Sequence, residues 1–234
     1  MSTERQKNFS RKHDQLDIFR QSGWASEIRE DKREAILNFG KIKTFKAKSA
    51  VYSAGEMSDG LYGVLQGVVE LTHPNELGEM VAFHQVEPGY WIGDLAHLAQ
   101  KERLITISTV TDAVLLHLDA SAIYYLLKQH PTLITDFYRL TYQNVRLALR
   151  LISSLSASQN TRAIVMRLLI HDDGSDPAPW FVLTQKSLAE MTGISYPTVR
   201  RVIRPFLDNG WVEAANGRMR VINRAALLAH CESV

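Results

Sequence analysis

Arg200, Arg201 and Arg204 crowd one short segment of this 234-residue chain, and Arg218 and Arg220 follow shortly after. Contact with a polyanion requires a local cationic face of this kind rather than a high total charge. The stretch Thr184–Ile203, which carries the first two arginines, reads as two short helices joined by a tight turn. Leu188 and Ala189 give the first helix a small apolar face, and Gly193 sits where the chain must bend. Ser195 is placed to cap the second helix, because its hydroxyl can accept from an unpaired helical amide. Pro197 falls in the first turn, where a missing donor costs nothing. Val199, Val202, Ile203 and Phe206 recur at helical spacing and leave Arg200, Arg201 and Arg204 on other faces. A helix-turn-helix lays such a second helix in the major groove of double-stranded DNA. The residues expected to contact DNA are Thr184, Gln185, Lys186, Ser195, Tyr196, Thr198, Arg200, Arg201 and Arg218. Two amphipathic helices that merely pack together fit the same pattern.

The flanking elements bear on that choice. Trp211–Ile222 reads as a β-hairpin whose Asn216-Gly217 pair suits a type I′ turn. A hairpin at this place is a wing, from which Arg218 and Arg220 could reach phosphates. Thr161–His171 is expected to be a helix, followed by the loop Asp172–Pro179 and a strand at Trp180–Leu183. Upstream, Ile42–His117 changes texture to short β-type runs punctuated by glycine, which suggests a sandwich or jelly roll. Between these regions Pro131 opens a long helix that runs to about Ser156. Within it Leu133, Phe137, Leu140, Asn144, Leu147 and Leu151 alternate at steps of four and three, a coiled-coil seam. A second apolar set, Ile134, Tyr138, Val145, Ala148 and Ile152, lies beside the first. One stripe could pack on its own domain while the other meets a second copy of the chain. Phe137, Leu140, Asn144, Leu147 and Leu151 are taken as the dimerisation seam, in which Asn144 either fixes register or is a solvated amide at the core edge.

The totals restrict the alternatives. Forty-five per cent hydrophobic and twenty-two per cent charged residues are ordinary for a globular protein. The net charge of +2 hides a division: residues 157–234 carry nine Lys and Arg against seven Asp and Glu, whereas residues 26–156 carry thirteen against fifteen. A single cysteine, Cys231, excludes an internal disulfide and any clustered cysteine metal site. No apolar run approaches a membrane span, and the polar start has no apolar signal region, so a cytoplasmic protein with no membrane partner is expected.

The order of roll, seam helix and winged helix-turn-helix resembles the CRP/FNR family of bacterial transcription regulators, over about Phe45 to Ile222. Successive landmarks are Gly55-Glu56, Leu61-Tyr62, Gly67 and Pro88–Leu95, then Leu183-Thr184, Gly193-Ile194-Ser195, Thr198-Val199 and Arg201. The resemblance implies an α+β protein with an N-terminal β-roll or jelly-roll sensor domain, a long dimerisation helix and a C-terminal winged helix-turn-helix. The corresponding boundaries are a mobile tail over 1–24, a cyclic-nucleotide-binding-like roll over 25–130, the dimerisation helix over 131–156 and the DNA-binding domain over 157–234. It further implies a homodimer on a near-palindromic site. The loop Asp172–Pro179 corresponds to the region through which some members touch RNA polymerase, or it is an inert connector.

Members that bind cyclic nucleotides hold the phosphate and ribose with a turn matching Gly93-Asp94-Leu95 and an Arg-Ser pair after it. Here the acid is Asp94, Arg103 is kept, and the serine position is Leu104. The base-contacting hydroxyls of the long helix fall at Ala148 and Leu149. Losing these donors, each worth roughly 1.5–3 kcal/mol when charge-assisted, disfavours cAMP in the usual mode. Gly93, Asp94, Leu95 and Arg103 remain the candidate effector residues for an unidentified small anionic ligand; alternatively Arg103 forms a salt bridge with Asp94. The recognition helix also departs from the cAMP-responsive type: Tyr196-Pro197 replaces an early Arg-Glu pair, while Arg201 matches a later arginine able to donate bidentately to guanine.

Other readings remain. A regulator that needs no ligand fits the same residues. Iron–sulfur sensing is excluded, since no cysteine precedes Cys231, but His73, His84, His97 and His117 leave a haem-sensing member open. A cupin-like enzyme would require converging histidines and a carboxylate, and the chain has no His-x-His pair.

Overall fold

Alternation of side chains along a strand lets one sheet serve two cores, and the N-terminal half of this chain uses that property. The computed structural model describes residues 16–155, 159–172, 174–175 and 177–233. It divides into two compact units, the first built from residues up to Met80 together with His84–Asn144, the second from Val81–Phe83 and the residues from Val145 onward.

The N-terminal half holds eight short strands: β1 (Lys41–Phe45), β2 (Ala50–Tyr52), β3 (Gly60–Gln66), β4 (Val69–Pro74), β5 (Met80–Val86), β6 (Trp91–Ile92), β7 (Thr106–Thr109) and β8 (Ala113–Asp119). They form two four-stranded sheets, ordered β1-β8-β3-β6 and β2-β7-β4-β5. The mixed α+β class and the double-sheet roll agree with expectation. On β8, Leu116 and Leu118 join a buried cluster with the helices, while Leu115 and His117, one residue out of phase, face the other way. There His117 stacks on Tyr62 of β3 with ring centres 4.3 Å apart, and Tyr62 lies 5.8 Å from Tyr52 of β2, so side chains of the two sheets meet.

Helices cover the opposite face of the first sheet: α1 (residues 16–21), α2 (Gly23–Ser26), α3 (Glu30–Phe39), α5 (Ala120–Gln129) and the start of α6 (Leu133–Leu155). A short helix, α4 (Asp94–Ala99), follows β6. Residues 16–24 correct the expected tail. Leu16, Phe19 and Trp24 are buried, and the Phe19 and Trp24 rings lie 4.8 and 5.5 Å from Trp91. Three apolar positions among charged neighbours are too few to show a period, which is why this segment reads as a tail. The rest of that tail, residues 1–15, lies outside the described residues.

Gly63 on β3 faces this aromatic cluster. A Cβ there would stand 2.5 Å from Phe19 Cζ and 2.7 Å from Trp91 Cε2. Gly63→Ala is therefore expected to destabilise the unit by about 1–3 kcal/mol through overpacking, seen as a lower urea midpoint at unchanged slope.

Helix α6 carries the second correction. Phe137 and Leu140 of the expected dimer seam are buried in the unit's own core with Leu133. Asn144 donates to Trp91 O at 3.1 Å and to Asp94 Oδ1 at 2.7 Å, so its amide is spent inside the protomer rather than on register. Leu151 is also buried and Leu147 half-buried. The neighbouring stripe is the one left outside: Ile134, Tyr138, Tyr142, Val145, Leu149 and Ile152 are all exposed, with Tyr138 at 69 %. Both stripes have coiled-coil spacing, and spacing alone does not say which one a roll will cover. Ser156, the expected end of this helix, lies outside the described residues.

In the second unit, α7 (Asn160–His171), α8 (Gln185–Thr192), α9 (Tyr196–Asp208) and α10 (Arg224–Ser233) pack on a small sheet ordered β10-β11-β9, with β9 at Phe181–Val182, β10 at Val212–Ala215 and β11 at Arg218–Val221. Its core joins Ile164, Leu168, Leu188, Val199, Ile203, Phe206, Met219 and Leu227. Asn223 caps α10 through Oδ1, which accepts from the Ala226 amide at 2.9 Å. No helix among the described residues is long and apolar enough to cross a membrane.

Candidate nucleic-acid interface and effector site

The α8–α9 pair is built as its residue types dictate. Thr184 caps α8 by accepting from the Ser187 amide at 3.0 Å, and the Ser187 hydroxyl closes a capping box. Gly193 ends α8 in the left-handed conformation at φ 67°, which an L side chain adopts only with strain. Ser195 then caps α9, its Oγ 2.8 Å from Thr198 Oγ1 and accepting from the Thr198 amide at 3.4 Å. Pro197 stands in the first turn. Val199, Ile203 and Phe206 point into the core, which turns the opposite face of α9 to solvent.

That outer face carries the expected cations. Arg200 and Arg201 are exposed, and neither has an ion-pair partner among the described residues. Arg200 stands 6.0 Å from the centre of the half-exposed Tyr196 ring. Arg204 is tied to Asp208 at 3.6 Å, one turn on. Lys186 is exposed on α8 beside Glu190, at 3.9 Å, and Gln185 is half-buried. The hydroxyls of Thr184, Ser195 and Thr198 are committed to caps, so their first duty is to shape the turn.

The wing separates its two arginines. Asn216 and Gly217 both have positive φ, 50° and 76°, as a type I′ turn demands. Arg218 at the start of β11 is exposed. Arg220, expected to reach phosphates as well, is instead engaged: it pairs with Glu213 at 2.7 Å and lies over the Trp180 ring at 4.7 Å. Glu213 is its cross-strand neighbour, a register that the hairpin imposes. In the loop that follows α7, Asp172 is buried and receives Arg224 Nη1 at 2.7 Å, while residues 173 and 176 lie outside the described residues.

In the first unit the candidate effector residues are only partly brought together. Gly93 adopts φ 95°, and any Cβ there would collide with Arg103 Nη1, which donates to Gly93 O at 3.1 Å. Leu95 is exposed at the start of α4. Asp94 is buried and turned toward α6, where Oδ1 accepts from Asn144. Burial pushes its pKa above the usual carboxylate value, although the side chains of Thr141 and Asn144 oppose that shift.

Arg103 does not pair with Asp94. Its Nη2 donates to Asp59 Oδ1 and to Gly60 O, both at 2.8 Å, and its guanidinium lies 4.0 Å from the centre of the Tyr52 ring. Asp59 Oδ2 accepts from the Tyr62 hydroxyl at 2.8 Å, and Lys43 donates to that hydroxyl at 3.2 Å. Burial opposes ionisation of Asp59, yet the Tyr62 hydrogen bond and the Arg103 charge help hold its pKa below the usual value. His117 Nε2 is 3.2 Å from Asp59 Oδ2, and burial lowers the His117 pKa while the Asp59 charge opposes that shift. Asp59, Tyr52 and Lys43 carry no local motif, and nothing in their spacing from Arg103 announces the cluster. Leu104, at the expected serine position, is exposed and offers its carbonyl 2.8 Å from His73 Nδ1.

Two family models match this chain in tandem: a cyclic nucleotide-binding domain over residues 42–130 and a Crp-like helix-turn-helix domain over residues 146–230. The chain belongs to the CRP/FNR family. Its curated relatives include the HTH-type transcriptional regulator Cmr of Mycobacterium tuberculosis, 27 % identical over 90 % of this chain and 84 % of that protein. The cyclic AMP receptor protein of Thermus thermophilus is 26 % identical over 82 % of this chain and 88 % of its own length. Among solved structures, a CRP/FNR-family transcriptional regulator from the same organism, Thermus thermophilus, superposes with a TM-score of 0.57 at 22 % identity, covering 82 % of this chain and 98 % of that one. The relatives are DNA-binding transcription regulators of the CRP family. Within this CRP/FNR chain the roll therefore corresponds to the nucleotide-binding module and α8–α9 with the β10–β11 wing to the DNA-binding module.

Proposed function

We propose that the protein is a homodimeric, sequence-specific DNA-binding transcription regulator whose β-roll does not take cAMP in the usual way. The observation that carries the DNA reading is the outer face of α9, where Arg200 and Arg201 stand exposed without carboxylate partners on a helix anchored by Val199, Ile203 and Phe206. Arg201 is assigned to a guanine edge and Arg218 to a phosphate. A second copy supplies the other half of a near-palindromic site, with half-site centres about 34 Å apart.

Dimerisation is assigned to the exposed stripe of α6. Ile134, Tyr138, Tyr142, Val145, Leu149 and Ile152 follow one another at steps of four and three, the repeat of a two-helix seam. The effector reading rests on Arg103, whose charge is already met by Asp59, and on Leu104, Ala148 and Leu149, which have no hydroxyl to offer.

Arg201→Ala is expected to cost about 1–3 kcal/mol of DNA affinity and to relax preference at one base pair per half-site. Footprint titrations on a site obtained by selection from random DNA measure both quantities. Unchanged affinity and unchanged base preference would remove Arg201 from the reading role.

A further inference from the structure

Side chains two residues apart on a strand share a face, so Arg218 and Arg220 of β11 stand on one side of the hairpin, while Met219 and Val221 are buried in the core on the other. What sets the two arginines apart is the residue opposite each on β10. Arg218 faces Ala215, which has no charge to offer, and it is exposed with no ion-pair partner among the described residues. Arg220 faces Glu213. Its Nε and Nη2 both donate to Glu213 Oε2, at 2.9 and 2.7 Å, and its guanidinium lies over the Trp180 ring, 4.7 Å from the centre. The Arg220 side chain is 28 % exposed and that of Glu213 47 %. The pair thus stands at the surface on the same face as Arg218, where water screens it and an external anion can reach it.

We propose that Glu213 limits the DNA affinity of the wing: its carboxylate occupies Arg220 and so withholds a second phosphate contact. A DNA phosphate offers Arg220 the same charge and the same kind of acceptor as the carboxylate, and arginine donates to either. To reach a phosphate, Arg220 must first break its bonds to Glu213 and then leave that carboxylate unpaired beside the DNA backbone. Arg218, with Ala215 opposite, meets neither obstacle. The hairpin therefore carries two cations on one face and makes one of them available. That holds down the sequence-independent part of binding and leaves discrimination to α9. This inference rests on reading the chain as a DNA-binding protein, and it assigns the wing a limiting role within that reading.

The test compares wild type, Glu213→Gln, Arg220→Gln and the double variant, each as the full chain. Fluorescence anisotropy titrations use two duplexes, the site selected from random DNA and an unrelated sequence of the same length. Glu213→Gln keeps the shape of the side chain and removes its charge. It is expected to bind both duplexes more tightly than wild type by on the order of fivefold, the ratio equivalent to a surface ion pair that DNA no longer has to break. Its log–log salt slope is expected to steepen by about 0.9, the share of one phosphate. In the Arg220→Gln background the same change is expected to bring little of that gain, because the gain comes from freeing Arg220. Equal gains in both backgrounds would show that Glu213 acts only as a charge near DNA, and no gain in a folded Glu213→Gln would show that Arg220 is not withheld. Either result overturns the proposal. Should Glu213→Gln prove too unstable to titrate, Glu213→Thr, which suits a strand, takes its place with the same expected outcome. Wild type that binds neither duplex at low ionic strength defeats the DNA-binding reading and this proposal with it, whereas wild type that binds, with no gain in the variant, defeats this proposal alone.

Discussion

Replacing Leu149 and Ile152 together by glutamate is expected to leave a folded but monomeric chain that has lost most of its affinity for DNA. Both residues are 59 % exposed on α6, so the substitution removes little packing within the protomer, and glutamate is a good helix former. Between two copies, however, the change would place four carboxylates in one apolar seam. Like charges at that spacing repel and lose solvation together. A monomer engages one half-site only. The loss of the second, linked contact is expected to weaken binding on the order of 10²–10⁴-fold. Sedimentation and gel-shift titration check the two effects on the same preparation. A dimer that survives the double substitution would show that the stripe on α6 is not the interface.

Phe137→Ala is expected to do the opposite. Phe137 lies in the roll's own core, stacked 5.7 Å from Trp24, and its removal should cost about 3–5 kcal/mol of folding stability. The interface as assigned does not include it, so the surviving folded protein should still associate. Urea unfolding followed by circular dichroism gives the first quantity and sedimentation at low temperature the second. If Phe137→Ala instead abolished association without lowering stability, the seam first suggested by spacing would be the interface after all.

These two substitutions mark where the sequence is ambiguous. Helical period identifies α6 and both of its apolar stripes, but a stripe becomes core or surface according to what packs on it. Here the covering elements are α1, α2 and the Trp91 strand, and α1 reads from sequence as a tail. The helix-turn-helix is legible almost residue by residue, because its signals are local: the Ser195 cap, the left-handed Gly193, Pro197 in the first turn, and Val199, Ile203 and Phe206 at helical spacing. The type I′ turn at Asn216-Gly217 is legible for the same reason. By contrast, the fates of Arg103 and Arg220 depend on tertiary and cross-strand neighbours. Asp59 is 44 positions away from Arg103, and Glu213 captures Arg220 only through the hairpin register. The Arg103–Asp94 pair considered from sequence fails because Asp94 faces α6 and bonds Asn144.

Two copies joined along α6 are expected to present two α9 helices to one DNA duplex. Sedimentation equilibrium of the chain with a short duplex carrying its selected site measures this directly. Two chains per duplex are expected at saturation, with weaker binding as salt rises because phosphate contacts release counterions. One chain per duplex, or no complex even at low ionic strength, would contradict it.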